Sequence, residues 1–169
     1  MLKGRIFHTV CYKPNGTGLF MSKIVGVVYP IPMHFVDRIF AEQRNVFVKY
    51  LPHSTRVRIV PRNRILFYAS HGQKEIVGEA TIKTIEFLTP LEALEKHGDK
   101  VFLGKDELMN YALQQPSRST SKKLLVLVLS KPRKFAKGIS CEKPITMVGE
   151  YLTEERYHAL FKETEESLE

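Results

Sequence analysis

Leu124-Leu-Val-Leu-Val-Leu129 is the longest apolar run in the chain, and its reading decides the fold. Six residues fall far short of the roughly 20 needed to span a bilayer as a helix. Leucine and valine without interruption suit a strand whose two faces are both covered. A central strand is therefore expected over Lys123–Ser130. Working backwards, Pro116–Ser121 is a polar loop, and before it Lys105–Gln115 reads as a helix. Asp106 and Glu107 suit that helix's positive N-terminal end, and Pro116 stops it.

Thr89-Pro90-Leu91-Glu92 is a capping box with proline at the first helical position, and Gly98 is the expected C-terminal stop. Glu75–Leu88 has period-two character, with Ile76, Gly78, Ala80 and Ile82 opposed by Val77, Glu79, Thr81 and Lys83. Gly78 marks a bulge or a close backbone approach. Further strands are expected at Ile24–Tyr29, closed by the Pro30-Ile31-Pro32 breaker, at Val46–Leu51, and at Arg64–Ala69 before the Ser70-His71-Gly72 turn. Met33–Gln43 has helical spacing, with Val36, Ile39 and Phe40 on one face. After Ser130 a basic connector leads to a strand at Ile145–Gly149, and Thr153 caps a last helix with Tyr157, Leu160 and Phe161 as its buried stripe. The order β-α-β-β-β-α-α-β-β-α points to an α+β domain with a curved sheet. Ile6–Tyr12 and the turn Asn15–Gly18 form a further hairpin, or residues 1–20 are an extension before a start at Met21, leaving 21–169 as the single domain.

The 169 residues suffice for one well-cored domain. With 43% hydrophobic and 26% charged residues the composition is globular. Lys3 and Arg5 are followed by polar residues where a signal peptide needs an apolar core. Cys11 and Cys141 are too few for a disulfide framework or a zinc site, so no metal is expected and a cytoplasmic location fits. No Walker pattern or nucleophile elbow occurs, and no cofactor is expected.

The net charge is +8, and its distribution is uneven. No acid occurs from Gln43 to Lys74 or from Leu108 to Cys141, and these stretches hold fourteen of the 26 basic residues. All eighteen acids lie in the remainder. Segregation of this kind is the footprint of a polyanion-binding face, or else the solvated surface of a basic protein.

Ile24-Val-Gly-Val-Val-Tyr-Pro-Ile-Pro32, Val46-Phe-Val-Lys-Tyr50, Ile76-Val-Gly-Glu-Ala80, Phe87-Leu-Thr-Pro90 and Pro144-Ile-Thr-Met-Val-Gly-Glu-Tyr-Leu-Thr153 carry a resemblance. On these segments the chain resembles a functionally uncharacterised archaeal family of the PUA-like superfamily, which also holds ASCH, EVE and YTH domains. It covers nearly all of residues 24–161. The resemblance implies a PUA-like pseudo-β-barrel with peripheral helices and a cleft that accepts nucleic acid or a modified base. The glycine-lysine-glutamate-arginine signature of ASCH domains is absent, with only Lys49 to stand for its lysine. A tryptophan cage of the YTH kind is also absent, so any cage would draw on Tyr29, Tyr50, Phe67, Tyr68 or Tyr151.

Lys49 heads the candidate site residues, because a cation in an apolar strand costs free energy unless it reaches solvent or an anion. Glu79 is its expected carboxylate partner if both strands face one cleft. Tyr50 and Tyr68 are candidate stacking platforms or plain core aromatics. Arg56, Arg58, Arg62 and Arg64, with Lys122, Lys123, Arg133 and Lys134, are expected to grip phosphates. His53 and His71 have no metal-ligand spacing. Two functions follow: an RNA or modified-nucleoside binding module, or an ASCH-like amidohydrolase of acylated nucleosides. The resemblance would give the hydrolase a lysine, threonine and glutamate, for which Lys49, Thr146 and Glu79 are the available set.

Overall fold

The computed structural model describes residues 22–52 and 55–166. The expected strand at Ile6–Tyr12, the Asn15–Gly18 turn, Met21, Cys11 and His53 lie outside them. In chain order the described elements are β1 (Ile24–Ile31), α1 (Met33–Phe40), β2 (Val46–Lys49), β3 (Arg64–Ala69), β4 (Glu75–Leu88), α2 (Pro90–His97), a 3-10 turn (Gly98–Lys100), α3 (Lys105–Leu113), β5 (Leu124–Ser140), β6 (Glu150–Thr153) and α4 (Glu154–Glu166). The expected succession of strands and helices holds throughout. Helix starts were legible because their caps are local. The Thr89 hydroxyl accepts from Glu92 N at 3.3 Å, the Glu92 carboxylate accepts from Thr89 N at 2.8 Å, and Thr153 accepts from Arg156 N at 3.2 Å.

The six strands form one sheet in the order β2-β5-β4-β3-β1-β6. All neighbours are antiparallel except β1 and β3, which run parallel. A flat sheet would hold β2 and β1 four strand spacings apart, about 19 Å. Instead the Phe47 ring on β2 stacks on Tyr29 of β1, with centroids 5.6 Å apart. The sheet has curled until its edges face each other across an apolar interior. Phe67, Ile65, Ala80, Ile82, Leu125 and Leu127 fill that interior, and α1 to α3 pack around it. A second apolar cluster sits on the outer face, where Val28, Leu66, Tyr68, Ile76, Ile139 and Leu152 meet Leu160 of α4.

Four sequence expectations need correction. The basic connector after Ser130 is the second half of β5, paired with Glu75–Glu79 of β4. Pro132 disguised it: Lys131, at φ 50°, and Pro132 fall in the register shift opposite Glu79/Thr81, where proline is tolerated. Ile145–Gly149 is a turn closed by Gly149 N donating to Thr146 O at 2.9 Å, and the strand begins only at Glu150. β1 runs through the Pro30 breaker to Ile31, because β6 no longer pairs beyond Val28 and an unpaired side accepts proline. The fourth concerns the alternation in β4. A bulge between Ile76 and Gly78 shifts the strand by one residue, which exchanges faces. Ile76 therefore joins the outer cluster, while Val77 and Ala80 face the interior.

Gly78 is the close approach anticipated from the sequence. A Cβ there would overlap the Phe40 ring of α1 and lie 2.7 Å from Arg133 O.

Candidate functional site

The interior of the curled sheet opens at the C-terminal ends of β1 and β2, where α3 and the 145–149 turn form the rim. A cleft of about 420 Å³ lies there, within the range used for small ligands. Its floor is Phe47, Phe35 and Phe102, its wall is Asn110 and Tyr111 of α3 with Gln114 just past the helix end, and Met147 overhangs it. A second hollow of about 370 Å³ continues past Tyr50, Arg118, Lys122 and Val148. Lys49 and Met147 line both, so the two form one groove.

Local sequence orients the side chains at the groove's base and its overhanging turn. β2 ends at Lys49, two residues after Phe47, so period-two alternation turns both side chains inward. Phe47 stacks between Tyr29 and Phe102, the latter 5.2 Å away. Lys49 Nζ lies over the Tyr29 ring, 5.1 Å from its centroid. The overhanging turn depends on Gly149, whose φ is 85° and whose missing Cβ would lie 2.5 Å from the Tyr29 ring. That close approach leaves Met147 and Val148 projecting, 66% and 53% exposed.

The electrostatics of the groove are one-sided. Lys49 is only 7% exposed, and burial, reinforced by the Arg118 charge, lowers its amine from the usual 10.5 to about 8. Among the described residues neither Lys49, Arg118 nor Lys122 forms an ion pair. The Arg118 guanidinium stacks on Tyr111 at 4.2 Å, and Lys122 Nζ donates to Ser117 O at 3.0 Å. Glu107 is the carboxylate lining the groove, and Arg38 already holds it through two hydrogen bonds. Those bonds hold the Glu107 carboxyl down to about 2. A buried amine, an oriented guanidinium and an aromatic floor together suit a ligand that is both anionic and flat.

Residues 24–154 match the model of a domain of unknown function, DUF365. The chain belongs to the DUF365 family. The uncharacterised protein MJECS03 of Methanocaldococcus jannaschii is 30% identical over 105 residues, 59% of this chain and 97% of that one. Among solved structures, ASCH from Zymomonas mobilis superposes with a TM-score of 0.66 at 16% identity, covering 82% of this chain and 94% of that one. A point mutant of it gives 0.67, also at 16% identity, over 84% and 98%. This DUF365 chain has the ASCH-like, PUA-like fold that its strand motifs implied.

The DUF365 fold gathers some sequence-predicted residues and separates others. Lys49, Tyr50 and Lys122 line the groove. Lys123 is exposed beside Lys122 at the start of β5. Tyr50 is built into the wall: its hydroxyl donates to Ser119 O at 2.8 Å, and its ring packs on Tyr111. Tyr68 and Phe67 are buried in the core, at 2% and 0% exposure. Tyr29 lies beneath Lys49, and Tyr151 donates to Arg56 O while accepting from Arg58 N. Those rings form no cage. Arg62 sits in a turn at φ 76°.

Lys49 and Glu79 do not pair. Glu79 points to the outer face, where Arg64, Arg133 and Tyr157 surround it. Thr146 is exposed in the turn beside Met147. Lys134 is paired with Asp37 at 3.0 Å. Sequence reasoning missed Arg118, Asn110, Gln114 and Met147 as groove residues. Arg118 carried a signal, as an arginine in a serine-rich loop between a helix and a strand. The other three come together only through the curl of the sheet. Among the described residues no His, Cys, Asp and Glu group could hold a metal ion, and no helix is long and apolar enough to cross a membrane.

Proposed function

We propose that this protein is an RNA-binding module that takes a base, standard or modified, into the groove between its curled sheet and α3. One observation carries the reading: a buried lysine with no carboxylate partner among the described residues stands where an aromatic cleft meets a cationic one. The aromatic floor suits the flat base, and Lys49, Arg118 and Lys122 suit the phosphate beside it. Lys123, exposed beside Lys122, adds to the positive field at the groove mouth. We place this activity in the cytoplasm. A hydrolase of acylated nucleosides has less support, because Glu79 stands on the other face and Glu107 is engaged by Arg38.

The test is a fluorescence-anisotropy titration of the full chain with labelled tRNA and single-stranded RNA across a salt series. Three groove cations on a single strand give a log–log salt slope of about −2. The reading expects micromolar or tighter binding with a slope of at least that size. Absence of binding at low salt would refute it.

A further inference from the structure

Glu79 is the strongest unexplained feature outside the groove. It is 2% exposed on the outer face of β4. Its Oε1 accepts from Arg64 at 3.1 Å and Arg133 at 2.8 Å, while Oε2 accepts from the Tyr157 hydroxyl at 2.9 Å. One carboxylate needs one cation, and here there are two. Among the described residues no other carboxylate pairs with either arginine. The cluster therefore keeps a surplus positive charge.

Both guanidiniums are also fixed. Arg64 lies over the Tyr157 ring at 5.9 Å, and Arg133 lies over Phe135 at 5.1 Å and Phe161 at 5.9 Å. Each spends one terminal nitrogen on the shared oxygen and keeps its remaining donors. Their side chains are 44% and 61% exposed, so those donors reach solvent. Two forks that share one acceptor atom lie close enough to grip one small oxyanion together. Arginine pairs of this kind suit tetrahedral phosphate, because the fork geometry matches its oxygens and the guanidinium sheds water readily. Glu79 sets their spacing from below, and the rings of α4 and β5 stop them from folding away.

We propose that Arg64 and Arg133, set by buried Glu79, form a second anion site that binds a phosphate group on the face opposite the groove. The site stands on its own, and holds whether or not the groove takes a base. The phosphate comes either from a chain terminus as a monoester or from a nucleic-acid backbone as a diester.

The experiment follows the arginine Nε–Hε resonances of the full chain by NMR during titration with inorganic phosphate, against sodium chloride at matched ionic strength. Arg64 and Arg133 signals are expected to shift together on one saturable curve that chloride does not reproduce. Arg133→Met should weaken that response at least tenfold, and Lys49→Met should leave it intact. Arg133→Lys, which keeps the charge but not the fork, gives the same weakening if the methionine variant misfolds. A ribo-oligonucleotide with a 5′-phosphate that shifts these signals at lower concentration than the unphosphorylated one assigns a monoester, and equal shifts assign a diester. Unsaturable shifts, shifts matched by chloride, or a response unchanged in both Arg133 variants would overturn the site. Failure of RNA binding to the groove leaves this result untouched, since the probe and the reporting residues are different.

Discussion

Replacing Lys49 by methionine should make the protein more stable and its groove weaker. The amine is buried, and its pKa falls from 10.5 in the open chain to about 8 in the fold. That difference corresponds to roughly 3 kcal/mol of destabilisation wherever both states are protonated. The sign follows from proton counting. Between pH 8 and 10.5 the unfolded chain binds more protons than the folded one, so stability rises with pH in that window. Below pH 8 the penalty is present in full. Methionine fills a similar volume with no charge to desolvate. Urea denaturation should therefore find Lys49→Met more stable by up to about 3 kcal/mol at pH 7, falling to about 1 kcal/mol by pH 10. A variant that is no more stable at pH 7, or whose advantage ignores pH, would refute the claim that Lys49 is a costly buried cation.

Other expectations address the frame around the groove. Gly78→Ala drives a methyl into Phe40 and Arg133 O, and should lower stability by about 2 kcal/mol or more in the same denaturation assay. Thr89→Ala removes one half of the capping box and should cost about 1 kcal/mol, read as a lower melting temperature. The Arg38 pair depresses Glu107, so its contribution is present above the ordinary carboxylate range and is lost as pH falls towards about 2. Because that pair is partly exposed, Glu107→Gln should reduce stability at pH 7 by no more than about 1 kcal/mol, with the deficit vanishing in acid. Gly149→Ala strains a left-handed position against the Tyr29 ring and should weaken RNA binding by displacing Met147.

What the sequence disclosed was what local chemistry dictates. The Thr89 capping box, the Thr153 cap and the apolar run at Leu124–Leu129 each announce their structure within a few residues. The misreadings share a cause, because each depended on a partner strand. Lys131–Ser140 looks like a basic linker until β4 is laid beside it. Ile76 and Val77 exchange faces through a bulge that only the β5 register reveals. The same limit applies to the site. Lys49 stood out as a cation among apolar neighbours, and the fold buries it in the groove wall. Its surroundings were not legible, since Arg118, Met147 and Asn110 are distant in sequence and meet it only when the sheet curls. Glu79 was singled out as the expected carboxylate partner of Lys49, which it is not. Its assignment to the opposite face needed α4, whose Tyr157 the sequence marked only as part of a buried stripe.

The most direct test of the groove compares single-stranded RNA binding by wild type and Lys49→Met across a salt series. Loss of one buried phosphate contact should weaken binding at least tenfold and reduce the salt slope by about 0.7. Since the variant is expected to be the more stable protein, such a loss cannot be ascribed to unfolding. Equal affinity with an unchanged slope would contradict the groove as the RNA site.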